Sequence, residues 1–129
     1  MNNYIINHKQ WSELTIFEQM GNIYSEVSRS FNARRNKKSE YETLSMIRAI
    51  DLFDATIECL IKKKSIQAKE VLRAKEQFLD NLYRSIFDET DAASIEKYFM
   101  QFAIAARLNR VSYSDFLFRL ALKDLLTSL

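Results

Sequence analysis

The sequence predicts an all-α protein, an up-down antiparallel bundle of four long helices followed by an apolar fifth. Three observations carry that expectation. The chain of 129 residues holds one glycine and no proline, and strands and tight turns need such residues where long helices do not. Apolar residues recur at steps of three and four through most of its length, the period of one helix face. The connections between these stretches are short and polar, which favours antiparallel neighbours. An apolar fraction of 47% fits a single globular domain, residues 1–129, with a core of its own.

Residues 1–14 read as an N-terminal arm over one end of the bundle. Tyr4, Ile5, Ile6, Trp11 and Leu14 are its apolar positions, with Trp11 as a lid on the core. The first long helix opens on a capping box, Thr15 with Glu18, and runs to Arg35. Phe17, Met20, Tyr24, Val27 and Phe31 make its inward stripe, and Glu18, Asn22, Glu26 and Arg29 the opposite polar face. Between them runs a seam of small residues, Gly21, Ser25 and Ser28. A glycine inside a helix costs about 1 kcal/mol against alanine. Either the seam lets another backbone come close, as part of a protein interface, or Gly21 marks an exposed position under no constraint.

Ser39 and Glu42 form a second capping box for a helix over about 40–63. Its core positions are Met46, Ile47, Ile50, Phe53, Ile57, Leu60 and Ile61. Asp51, Asp54 and Glu58 flank that stripe; such carboxylates can hold a hard cation or pair with basic neighbours such as Arg48. The salt-bridged flank is the expectation. Lys62, Lys63 and Lys64 close the helix where its dipole favours cations. The third helix spans about 66–87, with Val71, Leu72, Phe78, Leu79, Leu82, Ile86 and Phe87 inward.

Thr90 or Asp91 is the expected N-cap of a fourth helix, about 92–109. It turns Ile95, Phe99, Phe102 and Ala106 inward, and its slim run 102–106 can sit close to a neighbour. A fifth helix, about 113–128, is apolar over most of its circumference. Such a helix needs burial on more than one side, in its own bundle or against another subunit. Phe116, Phe118, Leu122 and Leu125 are therefore candidate interface residues. The up-down order places the Lys62–Lys64 turn, the Arg107–Arg110 turn and the N-terminal arm at one pole. The Arg34–Lys38 connection lies at the other, beside Asp88, Glu89 and Asp91.

Catalytic signatures are thin. His8, the only histidine, sits in the arm, so nucleophile–base pairs have one unpromising base. Di-iron bundles need Glu-x-x-His pairs, zinc sites need several Cys and His, and a helical ribonuclease wants Arg and His on one helix. The sequence supplies none of these sets, and one glycine cannot build a phosphate-cradling loop. No enzyme, metal, cofactor or small-molecule substrate is expected. The single Cys59 forbids an intrachain disulfide, fits a reducing cytoplasm, and reads as a small buried hydrophobe. The N-terminus lacks the pattern of a signal peptide and no segment has the length and apolarity of a membrane span. A net charge of +2 is mild for a nucleic-acid binder. Clusters matter more than the total, and Arg34, Arg35, Lys37, Lys38, Lys62, Lys63, Lys64, Arg107 and Arg110 are the candidate phosphate contacts.

The strings Glu18-Gln19-Met20-Gly21-Asn22-Ile23 and Ser25-Glu26-Val27, Arg48-Ala49-Ile50-Asp51-Leu52, and Tyr98-Phe99-Met100-Gln101-Phe102-Ala103 carry a resemblance over most of the chain. They resemble a small bacterial all-helical family of hypothetical proteins. Size, bundle architecture and mild basicity are more loosely similar to the helical accessory proteins of diversity-generating retroelements. That likeness implies an oligomeric bundle that binds a reverse transcriptase and its RNA. The expected function is a non-catalytic interaction module, a homo-oligomer or accessory subunit acting by protein–protein contact. The alternative is a nucleic-acid-binding accessory that docks phosphates on its basic turns.

Overall fold

In the computed structural model, residues 6–108 are described, and they form helices joined by short turns. The helices are α1 (His8–Glu13), α2 (Ile16–Arg35), α3 (Ser39–Lys62), α4 (Gln67–Tyr83) and α5 (Glu89–Leu108). The described part is all-α, and α2 to α5 run up and down as the short connections predict. The expected C-terminal helix, with Arg110, Phe116, Phe118, Leu122 and Leu125, lies outside the described residues.

Helix α2 is the central member, packed along both α3 and α5, while α4 packs chiefly on α3. The Thr15 box forms as predicted: the Glu18 amide donates to Thr15 Oγ1 at 3.1 Å, and the Thr15 amide to Glu18 Oε1 at 3.0 Å. Two neighbours widen the buried arc of α2 beyond the expected stripe. Ile23 is in the core, and so are Gln19, Glu26 and Ser30. Glu26, expected on the solvent face, is therefore buried, with Arg29 on its Oε2. Gly21 meets a close backbone, but not that of another subunit. A Cβ there would stand 3.2 Å from Ala103 Cα and 3.5 Å from Ala103 Cβ, so the close backbone belongs to the chain's own α5. Ser25 is exposed and Ser28 half-buried.

Other expectations are corrected in phase. The Ser39–Glu42 box does not form: α3 has no side-chain cap. Glu42 turns instead toward Arg34, at 3.6 Å. The buried face of α3 runs through Ser45, Ala49, Leu52, Phe53, Thr56 and Leu60, while Ile47 and Ile61 are exposed. Small side chains let α3 approach its neighbours, and a reading that weights the large aliphatics rotates the helix. Leu72 is likewise exposed within α4, and Ile86 is exposed because α4 ends at Tyr83 and leaves 84–88 as a linker. Asp88 is the cap of α5, since its Oδ1 accepts from the Asp91 amide at 3.1 Å.

Aromatic rings bind the bundle from end to end. Phe87, Phe31, Phe78, Phe53, Phe99, Tyr98, Phe102 and Phe17 form an unbroken sequence of ring contacts, with centroids 4.9–6.0 Å apart. Each such pair is worth about 0.5–1.5 kcal/mol beyond the area it buries. This ladder takes rings from all four long helices and fixes their relative rotation.

Helices α2 and α3 both end in the same backbone motif. Lys38 N–H donates to Ala33 O at 2.8 Å and Lys37 N–H to Arg34 O at 3.2 Å; Ser65 and Lys64 repeat this on Leu60 and Ile61. These are Schellman turns, which place one residue in the left-handed region. Here those residues are lysines, Lys37 at φ 56° and Lys64 at φ 55°. An L side chain there costs about 1 kcal/mol that glycine avoids. Lys37→Gly and Lys64→Gly should each raise stability by about 0.5–1 kcal/mol, or roughly 2–4 °C in melting temperature. Melts that fall in both variants would show that no strain is held in these turns.

Candidate functional site

The arm folds into α1, a helix too short to stand alone, and long-range bonds hold it down. Asn7 caps it by accepting from the Gln10 amide at 3.1 Å. Trp11 is buried, as expected of a lid, and its indole N–H donates to Thr56 Oγ1 at 3.0 Å. Gln19 Nε2 donates to the Trp11 carbonyl at 2.8 Å. These bonds seat α1 across the C-terminal end of α3, and a cleft of about 400 Å³ opens between the two helices.

That cleft gathers basic residues from both helices. His8, Lys9 and Ser12 line it from α1; Glu58, Lys62 and Lys63 line it from α3 and its cap, with Ala55 and Cys59 as apolar contacts. Glu58 joins the two sides: its carboxylate is 3.0 Å from Lys62 Nζ and 3.9 Å from His8 Nδ1. The hydrogen bond from Lys62, with its charge, holds the Glu58 carboxyl below the usual carboxylate range. The pole expected for the arm and the Lys62 turn is thus confirmed. His8, Lys9 and Ser12 were not legible as site residues. Only the Asn7 cap hints at α1 locally, and its seat depends on the distant Thr56.

The other basic residues are placed differently. Arg34 donates to the carbonyls of Leu82, at 2.7 Å, and Arg84, at 2.6 Å, capping the end of α4. Arg35 forks onto Glu89 and Glu96, linking the end of α2 to the start of α5. Its guanidinium is pushed above its ordinary range, chiefly by the hydrogen bond to Glu89 and then by Glu96, against the opposing cost of desolvation. Phe87 sits between them, with both guanidinium carbons 5.7 Å from its ring centroid. Lys37 and Lys38 are exposed at this pole, Lys64 and Arg107 at the opposite one. Asp54 pairs with Lys75 at 2.7 Å, in keeping with a salt-bridged flank. Among the described residues no group of His, Cys, Asp and Glu is arranged to hold a metal ion. None of the described helices is long and apolar enough to cross a membrane.

A second, smaller cavity of about 190 Å³ lies between α4 and α5, lined by Gln77, Asp80, Asn81, Arg84, Asp91 and Ile95. Among the described residues, both amide atoms of the buried Asn81 side chain lack hydrogen-bond partners, as does the Tyr98 hydroxyl one turn beyond Ile95. Burial pushes the Tyr98 hydroxyl well above its ordinary 10.0, and the charge of Glu70 adds to this. The sign follows from linkage. The folded state keeps this proton where the unfolded chain loses it, so stability is complete below pH 10 and falls above it, by about 1.4 kcal/mol per pH unit. Tyr98→Phe removes that loss. Between about pH 9.5 and 11 the variant should gain roughly 1 kcal/mol on the wild type in denaturant melts. Parallel curves would mean that Tyr98 ionises without opening the core.

Comparison with known proteins finds no matching family, no similar curated protein and no similar solved structure.

Proposed function

We propose that this protein is a non-catalytic helical-bundle interaction module, an oligomeric scaffold or accessory subunit that works by protein–protein contact. One observation carries the reading. Met100, Ile104 and Leu108 follow each other at four-residue steps on the outer face of α5, and all three are exposed. Such an apolar row on a helix is the pattern by which one helix docks on another. The row points toward the C-terminal end of the chain, whose sequence from Phe116 to Leu129 is itself strongly apolar. The partner assigned to it is a second copy of this chain, meeting α5 with apolar sequence of its own.

The alternative, docking of nucleic acid on the basic turns, finds Arg34 and Arg35 with their donors engaged inside the protein. The Lys37–Lys38 and Lys62–Lys64 turns also lie at opposite poles of helices some 24 residues long, about 35 Å apart.

Light scattering on a size-exclusion column tests the assembly reading. The wild type should elute as a discrete oligomer, and Met100→Glu with Ile104→Glu should elute as a monomer of unchanged helicity. A monomeric wild type at about 100 μM, well above the Kd of a stable dimer, would sink the reading.

A further inference from the structure

The cleft between α1 and α3 concentrates charge in a way that the assembly reading does not use. Three lysines are available to it, counting Lys9, Lys62 and Lys63, against the one carboxylate of Glu58. Among the described lining residues this leaves an excess of two positive charges. A phosphate monoester carries about −1.5 to −2 charges near neutral pH, which a single carboxylate does not match. The volume of about 400 Å³ falls in the range of small-molecule sites, about 300–1,000 Å³. Ala55 and Cys59 give the cleft an apolar part, so it suits a ligand with an organic body as well as an anionic end. The imidazole of His8 and the hydroxyl of Ser12 add hydrogen-bonding groups at its edge.

We propose that this cleft binds a small organic phosphate, of the size of a nucleoside monophosphate, with its phosphate among Lys9, Lys62 and Lys63. Glu58 is the opposing element. It holds Lys62 at 3.0 Å and is itself repelled by an incoming anion. The site thus makes two substitutions act in opposite directions. Removing lysines weakens binding, and removing the Glu58 charge strengthens it. The cations are exposed, so affinity is modest and falls with added salt. The inference does not rest on the assembly reading: the cleft is complete within one chain, and a monomer would bind as well.

The single tryptophan reports on the site, since Trp11 lies in α1 between Lys9 and Ser12. The experiment is a titration of the full chain with adenosine monophosphate, followed by Trp11 fluorescence and by calorimetry. Saturable binding is expected, with a Kd near or below about 1 mM and competition by inorganic phosphate. Lys62→Ser with Lys63→Ser should weaken it about tenfold, Lys9→Ser less, and Glu58→Gln should tighten it about threefold. Lys37→Ser with Lys38→Ser, at the far pole, should leave it unchanged. Circular dichroism of each variant separates lost binding from lost folding.

Absence of binding at about 10 mM nucleotide and phosphate would overturn the proposal. So would a Glu58→Gln variant that binds more weakly, or a lysine pair whose removal changes nothing. Adenosine binding as tightly as its monophosphate would remove the phosphate from the account. A single-stranded oligonucleotide that binds through these lysines while the mononucleotide does not would also overturn it, by assigning the cations to a nucleic-acid backbone.

Discussion

Gly21→Leu is expected to destabilise the protein by about 3 kcal/mol, the upper end of the cost of overpacking, and to lower its melting temperature by roughly 10 °C. The reason lies in what the side chain would meet. Its first carbon would already stand 3.2 Å from Ala103 Cα, a backbone atom that cannot rotate away, and 3.5 Å from Ala103 Cβ. Three further carbons can be accommodated only by moving α2 and α5 apart. That movement would also disturb the neighbouring contact of Phe17 with Phe102, whose ring centroids are 6.0 Å apart. Gly21→Ala sets two effects of similar size against each other. It gains about 1 kcal/mol of helix propensity and loses a comparable amount to the tight contact. We expect it to melt within a few degrees of the wild type. A Gly21→Leu variant that melts like Gly21→Ala would mean that α5 can shift without cost.

The same pair of helices connects stability to the proposed function. The register that sets Ala103 on Gly21 also turns Met100, Ile104 and Leu108 to the outside of α5. Forcing α5 away from α2 would rotate or tilt that row. Gly21→Leu should therefore disturb self-association as well as folding, whereas glutamates at Met100 and Ile104 should disturb association alone.

Local signals in this sequence were readable, and long-range choices were not. The Thr15–Glu18 box is a contract between residues three apart, and nothing distant competes for either side chain. Ser39 and Glu42 offer the same pattern, yet Arg34 claims Glu42 from another helix, and the box fails. Large aliphatics mislead for a related reason. Ile47 and Ile61 look like core, but the close approach of α3 is made by Ser45, Ala49 and Thr56, small residues that a hydrophobic pattern underweights. Glu26 is buried because α2 has two neighbours, a fact about packing that no periodicity within α2 contains. The basic cleft is the sharpest case. Lys62 and Lys63 stand out as a cluster, but His8, Lys9 and Ser12 join them through long-range bonds that seat α1, from Trp11 to Thr56 and from Gln19 to the Trp11 carbonyl.

The Arg35 fork should show how much of the bundle's cohesion is electrostatic. Arg35→Ala is expected to cost about 2 kcal/mol, below the 3–5 kcal/mol of a fully buried pair because the side chain is partly open to solvent. Two carboxylates would lose their shared partner: Glu89, which is exposed, and Glu96, which is largely buried and bears most of the penalty. The loss also removes one of the two guanidinium groups flanking Phe87, a contact worth about 0.5–1 kcal/mol in such a setting. Arg35→Lys separates charge from shape. A lysine keeps the cation but cannot fork to two carboxylates, so it should recover about half of the loss. In about 1 M salt the exposed share of the interaction is screened, and the gap between wild type and Arg35→Ala should narrow without closing. Urea melts of the three proteins at low and high salt make the measurement. If Arg35→Ala melts like the wild type in both, the end of α2 and the start of α5 are held by the aromatic ladder alone. The stabilities of Phe87→Ala and Arg35→Ala would then fall far apart instead of close together.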